Sequence, residues 1–445
     1  MTRAGAAVAA VAVLLAGAAC TSGAESPAAP RESLVPSVVD PPPPEVHRPE
    51  EPLAVIGHAT VPQLDLTTAQ SERLTSGEAD RWRGFRVLSG GAPARLVRAV
   101  ERDPGTLAVV PLSAVGPTVV AARVAGYDPV RGAAGAIDLT VAGDLMLVRD
   151  VPDPTAALAP LSERLRRADL TVGNLESTLS RNGEPTQDPV TDSFGATPAL
   201  VPVLRAAGFD AVSLANNHVG DYGEVALLET LRTLRSSRLQ GFGAGRDRAE
   251  AGRAAVLNRD GVSFAFLGFN AIGETPRATR DEPGALSVRM PPRTGPLVRS
   301  DLDHMAALVR EYDEVADVVV VIPHWGEQYV HEPWQVQRDV SRRLVAAGAD
   351  LVVGGHPHWV QGVEAVDGVP VVHSLGNFVF DMDFMEQTLE GVLLEATFWG
   401  AELKAVRFVP YRMDTEVFAP RVARGDAGAA ILDDLWSSSR GPWAP

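Results

Sequence analysis

Short β-prone apolar runs alternate with amphipathic stretches over most of the chain after residue 136. The apolar runs predict strands at Ile137–Ala142, Leu170–Val172, Ala211–Ala215, Val262–Phe269, Val318–Ile322 and Leu351–Val353. Between them, apolar residues recur every three or four positions, which predicts helices at Thr155–Arg167, Pro198–Ala207, Tyr222–Ser236, Leu302–Tyr312 and Trp334–Ala347. This alternation predicts an α/β core with helices packed on the faces of its sheets.

Toward the C-terminus the pattern changes to paired β-prone runs. Asp367-Gly368 lies between two such runs and predicts a hairpin turn, and residues 391–413 predict another strand pair. The last 20 residues contain Ser, Arg, Gly and Pro, and we expect them to fray or to cap the surface.

The first 20 residues predict an export signal. They combine one early positive charge, Arg3, with an apolar run over residues 4–19 that is shorter than the roughly 20 residues of a transmembrane helix. The only cysteine, Cys20, follows in a pattern that resembles the lipobox of bacterial lipoproteins, although Gly17 replaces the usual leucine. We therefore expect an exported protein that is lipid-anchored through Cys20 at the outer face of the cell membrane. A soluble secreted protein is the alternative.

Two further segments precede the α/β core. Residues 21–53 are rich in Pro, Ser and acidic side chains without periodicity, so we expect a linker that lifts the folded part off a surface. Residues 54–133 contain LAVIGHATVPQLDLTTAQSERLTSGEADRWRGF and DPGTLAVVPLSAV, which resemble fragments of phosphate-type periplasmic binding proteins. The resemblance implies a partial α/β binding lobe, and a structural appendage without a ligand is the alternative.

The charge balance limits the class of partner. The 445 residues carry 56 acidic and 40 basic side chains, a formal net charge of −16. Such a field opposes attraction to nucleic acid or to an anionic lipid surface. We therefore expect no nucleic-acid partner, and a polyanion would have to be bound by a metal ion or by a few placed arginines.

Polar residues follow five of the predicted strands at the point where each ends. They are Asp144 with Arg149, Asn174 with Glu176, Asn216-Asn217-His218 with Asp221, His324-Trp325-Gly326-Glu327, and His356-Pro357-His358. Because the carboxyl ends of strands in an α/β sheet converge on one crevice, these groups can meet there. Carboxylate, amide and imidazole groups are ligands for Mn, Fe, Zn or Mg.

Each polar group also has an ordinary structural explanation. A strand-terminal Gly-Asp is commonly a turn or helix cap, an Asn pair can adopt a left-handed turn, and His324 can be a core imidazole with satisfied hydrogen bonds. One shared metal site explains all five groups together, so we favour it. We expect four of the five histidines outside these groups to be surface residues, namely His47, His58, His304 and His331.

Six ordered blocks resemble those of a known family. GDLMLVRDV, NLE, LANNHVGDYG, HWGEQY, GGHPHWVQGVE and SLGNF are similar to the blocks of CapA-like proteins of poly-γ-glutamate capsule synthesis, a branch of the calcineurin-like metallophosphoesterases. The resemblance covers residues 136–411 and leaves 412–445 as a C-terminal extension. It implies a two-sheet αββα sandwich that holds one or two divalent metal ions at the strand ends.

The resemblance also implies roles for individual residues. The metal ligands that it implies are Asp144, Glu176, Asn217, His324, His356 and His358. His218 resembles the histidine that protonates a leaving group, Asp221 would position it, and Arg149 would hold an anionic group. Asn377 of SLGNF is expected to be a turn or orienting residue. Trp325 and Trp359 either wall the site or pack in the core.

The first block departs from the superfamily pattern. An Asp-x-His motif becomes Asp144-Leu145-Met146, so one imidazole is missing, and the site either holds one metal weakly or is mononuclear. Glu176 stands where the superfamily has a bridging aspartate, which lengthens the bridge by one methylene.

Three functional hypotheses follow. The first is an exported metal-dependent hydrolase or transferase that acts on a cell-envelope polymer or a phosphoester, since metals in such sites activate water and polarise the attacked oxygen. The second is a non-catalytic accessory subunit for polymer synthesis, export or attachment, which would have polymer synthase subunits as partners. The third is a ligand-binding sensor based on residues 54–133.

Overall fold

A computed structural model describes residues 51–445 of the chain. The predicted signal peptide, Cys20, His47 and nearly all of the linker lie outside these residues. Within the described part, no helix has the combination of length and hydrophobicity that crossing a membrane requires.

Residues 51–135 form a five-stranded sheet and two short helices. The elements are β1 Leu53–His58, β2 Asp65–Leu66, α1 Thr68–Thr75, β3 Arg81–Trp82, β4 Phe85–Leu88, α2 Pro93–Val100, β5 Thr106–Pro111, β6 Val119–Ala121 and β7 Arg123–Val124. The sheet has the order β3-β4-β5-β1-β6, while β2 and β7 pair separately. Helix α1 begins where Thr67 and Gln70 cap each other's backbone N–H groups, which satisfies donors that the first helical turn leaves free.

The remaining residues form two large sheets with helices between their strands. The strands are β8 Ala136–Leu145, β9 Leu170–Leu175, β10 Thr178–Leu179, β11 Gly195–Ala196, β12 Ala211–Ser213, β13 Gln240–Phe242, β14 Ala244–Gly245, β15 Ala255–Arg259, β16 Val262–Asn270, β17 Gly284–Ala285, β18 Val318–His324, β19 Leu351–Val353, β20 Val360–Val366, β21 Val369–Leu375, β22 Asn377–Val379, β23 Glu390–Trp399, β24 Glu402–Met413 and β25 Pro420–Val422. The helices are α3 Pro154–Arg167, α4 Leu200–Ala207, α5 Gly223–Arg235, α6 Arg248–Ala251, α7 Arg299–Asp313, α8 Gln335–Val345 and α9 Gly425–Ser437.

The two large sheets bring parallel strands to their centres. The eight-stranded sheet has the order β13-β12-β9-β8-β23-β24-β25, with β22 also paired to β8, and the six-stranded sheet has the order β15-β16-β18-β19-β21-β20. Strand β18 reads VVVVIPH and is buried along its whole length. A continuous apolar run is typical of a parallel strand that is covered on both faces. The predicted α/β fold is therefore confirmed.

Three apolar clusters cover the faces of these sheets. One contains side chains from both sheets, including Val141 and Val172 of the first and Phe266 and Val320 of the second. A second lies against helices α3, α4 and α5, and a third lies against α7 and α8. Burial of apolar surface is the main favourable term in folding, so these clusters fix the two sheets and their helices in place.

The predicted strands and helices are present with small shifts at their ends. The helix predicted at Thr155–Arg167 spans Pro154–Arg167, and the strand predicted at Val318–Ile322 spans Val318–His324. Asp367-Gly368 forms the turn between antiparallel strands β20 and β21, and residues 391–413 lie in the β23–β24 pair, so both predictions are confirmed.

Two predictions about the surface need correction. The last 20 residues do not fray, because α9 and the residues after it place Leu435 and Trp443 in the apolar cluster shared by the two sheets. His58 is not a surface residue: it is 1% exposed in β1, and its Nδ1 lies 2.8 Å from Thr60 Oγ1. Both errors arise because polarity along the sequence does not show which neighbouring segment covers a residue.

A buried arginine joins helix α8 to the six-stranded sheet and to the C-terminus. The Arg338 guanidinium is fully buried and donates to Glu364 Oε2 at 3.0 Å and to the Ser438 carbonyl at 3.3 Å. His373, a buried residue to which the sequence analysis assigned no role, lies with its Nε2 3.0 Å from the other oxygen of Glu364. These contacts hold the pKa of Glu364 at about 2, against desolvation that would raise it.

We predict that Arg338→Met strongly destabilises the fold. Its removal leaves the Glu364 carboxylate buried without its main cation, which costs about 3–5 kcal/mol of unfolding free energy. Arg343→Met on the same helix is the control, because Arg343 forms only a surface ion pair with Asp303, worth less than about 1 kcal/mol. Urea denaturation measures both variants, and equal losses would contradict the prediction.

Candidate metal centre

The site lies where strand ends of the two large sheets meet. Asp144 near the end of β8 and Asn174 near the end of β9 are register partners in the eight-stranded sheet. His324 ends β18 of the six-stranded sheet, and it forms a bridge with Gly355 after β19. The convergence of strand ends that the sequence predicted therefore occurs, with contributions from both sheets.

A glycine lets the loop after β19 approach the Asp144 carboxylate. A Cβ at position 355 would lie 2.5 Å from Asp144 Oδ1, so a side chain there would displace the carboxylate. The next residue, His356, donates its backbone N–H to Asp144 Oδ2 at 2.9 Å. His356 and His358 both have positive φ values, 96° and 60°, so the loop holds them in a backbone conformation that costs energy for L-residues.

Three of the predicted metal ligands lie close together in the buried site. Ligand atoms of Asp144, Glu176 and His324 are all within 4.8 Å of one another, and all three residues are buried. Among residues 51–445, no arginine or lysine forms an ion pair with either carboxylate. Burial raises the pKa of Asp144 to about 6, and burial together with the Asp144 charge raises the pKa of Glu176 well above its usual range.

Several buried polar atoms in the site have no hydrogen-bond partner. They are Glu176 Oε2 and both ring nitrogens of His356. A cavity of about 10 Å³, lined in part by Asp144, Asn174 and His324, is large enough for one water-sized sphere. Unpaired buried acceptors are costly, and a carboxylate beside neutral imidazoles is a donor set that divalent metals prefer. The residues therefore fit a divalent cation.

The imidazoles of His324 and His356 are both held neutral by burial. Burial lowers the pKa of His324 and of His356 well below the usual histidine value. Their rings lie 4.9 Å apart, centroid to centroid. Neutral imidazole is the form that binds a metal, so burial prepares both residues for this role.

Asn174 lies at the centre of the site. The sequence analysis named it among the polar residues at strand ends but assigned it no role in the site. Its Nδ2 is 2.8 Å from Asp144 Oδ1, 3.0 Å from Glu176 Oε1 and 3.1 Å from His324 Nδ1. Its Oδ1 accepts from Asn216, whose own amide is oriented by the Leu175 carbonyl and the His218 N–H. The amide of Asn174 is therefore fixed with its donor toward the ligands. Its position two residues before Glu176, on the same strand face, was the available signal.

Asn217 contacts three members of the site. Its Oδ1 lies 2.9 Å from His324 Nε2, and its Nδ2 lies 2.9 Å from His218 Nε2 and 3.1 Å from Glu274 Oε2. The predicted amide ligand thus lies beside the predicted imidazole ligand and the predicted acid. This placement would allow the Asn217 oxygen and the His324 imidazole to bind the same cation.

His218 forms a pair with Asp221 at the edge of the cluster. His218 Nδ1 is 2.8 Å from Asp221 Oδ2, and that oxygen also accepts the Phe194 N–H at 2.7 Å. The carboxylate therefore keeps the proton on Nδ1, so Nε2 is the nitrogen that faces Glu176 Oε2, at 3.8 Å. The Phe194 ring stacks on the imidazole with centroids 3.9 Å apart. The pair was predicted, whereas Phe194 was not.

His358 is oriented by Asn377. The Asn377 Nδ2 donates to the Thr388 carbonyl, so its Oδ1 must accept from His358 Nδ1 at 2.8 Å. This contact leaves the lone pair of His358 on Nε2, which is the second-sphere arrangement common to metal-binding histidines. Asn377 thus orients a site residue, one of the two roles expected of it.

Three other predicted residues have partners away from the ligand cluster. Arg149 makes a bidentate contact with Asp381, and its guanidinium lies 4.5 Å from the centroid of Phe194, so its role as an anion holder stays a prediction. Trp325 is fully buried and donates to the His373 carbonyl, which is core packing rather than a wall of the site. Trp359 is partly buried, with its ring 4.8 Å from His331.

An arginine that the sequence analysis did not include lies close to the site. Arg293 donates to Glu274 at 3.2 Å and to Glu327 at 3.4 Å, and its charge contributes to the lowered pKa of His356. Tyr329 stacks on His358 with centroids 5.9 Å apart. Both residues lie in loops between elements, where periodicity carries no information.

Comparison with known proteins agrees with this geometry. Residues 138–382 match the family described as bacterial capsule synthesis protein PGA_cap, which is more than half of the chain. The capsule biosynthesis protein CapA of Bacillus anthracis is 31% identical over 254 residues, which are 55% of this chain and 60% of that protein. The PGA biosynthesis protein CapA of Bacillus subtilis is 30% identical over 54% of this chain and 62% of its own length.

A mycobacterial relative is also similar. A polyglutamine synthesis accessory protein of Mycobacterium tuberculosis is 30% identical over 221 residues, which are 48% of this chain and 56% of that protein. The chain therefore spans about three fifths of the length of the curated relatives that it matches. On the match over residues 138–382, the chain belongs to the PGA_cap family of bacterial capsule synthesis proteins, the CapA proteins of poly-γ-glutamate biosynthesis.

Proposed function

We propose that the chain is a metal-dependent hydrolase or transferase that acts on an anionic cell-envelope polymer of the poly-γ-glutamate type, or on a phosphoester. The observation that carries the proposal is the buried Asp144–Glu176 pair, which has no arginine or lysine partner within residues 51–445 and lies beside a His–Asp pair. The two sheets with helices on their outer sides support assignment to a calcineurin-like αββα sandwich.

The chain's own residues supply binding and proton transfer. A bound divalent metal would activate water and polarise the attacked oxygen. Asp144, Glu176, Asn217, His324, His356 and His358 would hold it. In its imidazolium form, which Asp221 would stabilise and orient, His218 would give the proton on Nε2 to the leaving group and return to the neutral imidazole with its proton on Nδ1. Phe194 covers one face of the imidazole and keeps water from it.

Metal content tests the first step of this proposal. We expect protein purified without chelators to retain a divalent metal, and Glu176→Gln to lower metal affinity by more than about 100-fold, because the variant removes the carboxylate with the unpaired Oε2. Elemental analysis and calorimetric titration measure both. Glu163→Gln, on the exposed side of α3, is the control with the same change in charge. Metal-free wild type, or equal affinity in the two variants, would contradict the prediction.

Turnover tests the catalytic step. We expect wild type to cleave an aryl phosphodiester or a γ-glutamyl oligomer, and His218→Asn to lower kcat by about 10²–10⁴-fold with unchanged metal content, because only the general acid is lost. His304→Asn, on helix α7 and outside the predicted site residues, is the control. A full metal complement with no turnover on either substrate would refute the enzyme.

A non-catalytic accessory role is the second candidate. The mycobacterial relative is named as an accessory protein. In this chain, the buried Met146 stands at the position of the first block where the superfamily pattern has a histidine. In this role the chain would assist polymer synthase subunits, and the metal would stabilise the fold. Tight metal binding without turnover favours it.

Export and lipid anchoring complete the proposal. The pattern of residues 1–20 supports acylation of Cys20 and placement at the outer face of the cell membrane. We expect metabolic labelling with a radioactive fatty acid to mark wild type and not Cys20→Ser. Detergent-phase partitioning of both proteins provides the check, and equal labelling would exclude the anchor.

A further inference from the structure

A large cleft lies away from the metal centre. It has a volume of about 960 Å³ and lies between residues of the N-terminal part, strands β23 and β24, and helix α9. None of the residues that line it belongs to the metal site. Its volume lies within the range of about 300–1,000 Å³ typical of ligand pockets.

Specific hydrogen bonds connect the parts of the protein that form the walls of this cleft. Lys404 Nζ donates to the Ser113 carbonyl at 2.7 Å, and Trp399 Nε1 donates to the Val130 carbonyl at 2.9 Å. Ala405 and Trp399 pack against the apolar cluster of the N-terminal sheet. Residues 51–135 are thus fastened to β23 and β24 beside the cleft, which gives the cleft two fixed walls.

Five arginines line the cleft, and two of them are partly buried without forming an ion pair within the described residues. The five are Arg123, Arg131, Arg164, Arg407 and Arg424. Arg131 and Arg164 both pair with Glu395, and Arg424 is exposed. Over residues 51–445, neither Arg123 nor Arg407 forms an ion pair with a carboxylate.

Arg407 is partly buried beside another cation. Its Nη2 donates to Gln63 Oε1 at 2.7 Å, and the Gln63 amide is held by the Leu64 and Ala121 carbonyls. Burial and the nearby Arg123 charge lower the pKa of Arg407. The Arg123 backbone N–H donates to the carbonyl of Leu64, the residue after Gln63, at 2.8 Å, so both arginines line the same part of the cleft. Two guanidinium groups in one part of a cleft form a site for an oxyanion, because a bound anion relieves their repulsion.

The charges of two acidic residues of the cleft, Glu395 and Asp128, oppose the lowering of the Arg407 pKa, but neither residue forms an ion pair with Arg407 within residues 51–445. Asp65 is the register partner of Arg123, yet it is exposed and makes no ion pair within the described residues. The Asp128 carboxylate accepts the backbone N–H groups of Val130 and Arg131. Asp433 is exposed on α9. Within the cleft, Arg123 and Arg407 are therefore the partly buried arginines that form no ion pair among residues 51–445.

We propose that Arg123 and Arg407 bind the carboxylate groups of an anionic glutamyl chain in this cleft, apart from the metal centre. Phe408 and Trp436 in the lining provide apolar contacts for the methylene groups of such a chain. The choice of a glutamyl chain rests on the proposed function, whereas the oxyanion site rests on the two arginines alone.

Binding of fluorescent oligo-γ-glutamate, followed by anisotropy near 0.15 M salt, tests this proposal. We expect the Arg123→Gln/Arg407→Gln double variant to bind at least about tenfold more weakly than wild type, because charge-assisted contacts are lost. Arg102→Gln/Arg310→Gln is the matched control, since it removes the same charge from exposed positions. Thermal denaturation checks that all the variants are folded.

Three outcomes would overturn the proposal. The first is equal loss of binding in the two double variants, which indicates nonspecific attraction. The second is loss of binding in Glu176→Gln, which places the oligomer at the metal centre. The third is competition by inorganic phosphate as strong as by free oligo-γ-glutamate, which indicates a phosphate site. Absence of metal or turnover in wild type would refute the proposed function and leave this binding result unaffected.

Discussion

The site depends on burying two carboxylates at the junction of two sheets. Asp144 and Glu176 are both fully buried, and the described residues provide them with no arginine or lysine partner. Burying an uncompensated charge is among the most costly events in folding, so the pair must be protonated or must bind a cation. The raised pKa values of both groups express the same cost. Metal binding would remove this energetic cost, and the free energy gained would contribute to the affinity for the metal.

The fold supplies the junction through the ends of parallel strands. Strand β8 brings Asp144, β9 brings Asn174 and Glu176, and β18 brings His324, each fixed by a buried apolar run before it. The loops that follow these strands contribute the remaining groups, where glycine permits the close approach of backbone to carboxylate. Rigid strands therefore position the acidic ligands, while loops position the proton donor and the histidine pair.

The features that could be predicted from the sequence are the strands and helices, which follow from periodicity, and the polar residues at the strand ends. Asp144, Glu176 and His324 were predicted from separate strands, and the structure brings them together. The central place of Asn174 was missed, because its role depends on amide orientations set by Asn216. Burial of His58 was mispredicted for a related reason, since the segments that cover it are distant in sequence. The sequence pattern identifies which face of a helix or strand is buried, whereas a hydrogen-bond network can be identified only in the packed structure.

The same network bears on how many cations the centre holds. The Asn174 amide donates toward Asp144, Glu176 and His324, so a neutral donor occupies the space among three ligand atoms. Met146 is buried where the superfamily pattern has a further imidazole. The unpaired atoms that remain, Glu176 Oε2 and the His356 nitrogens, belong to two residues only. A bound cation would contact Glu176 Oε2 and only one ring nitrogen of His356, because the two nitrogens of an imidazole point in different directions. A second cation among Asp144, Glu176 and His324 would need the Asn174 amide to turn and its Asn216 contact to break. In the proposed function, these contacts would therefore fit one metal ion better than two, while the Asn174 amide supports both carboxylates.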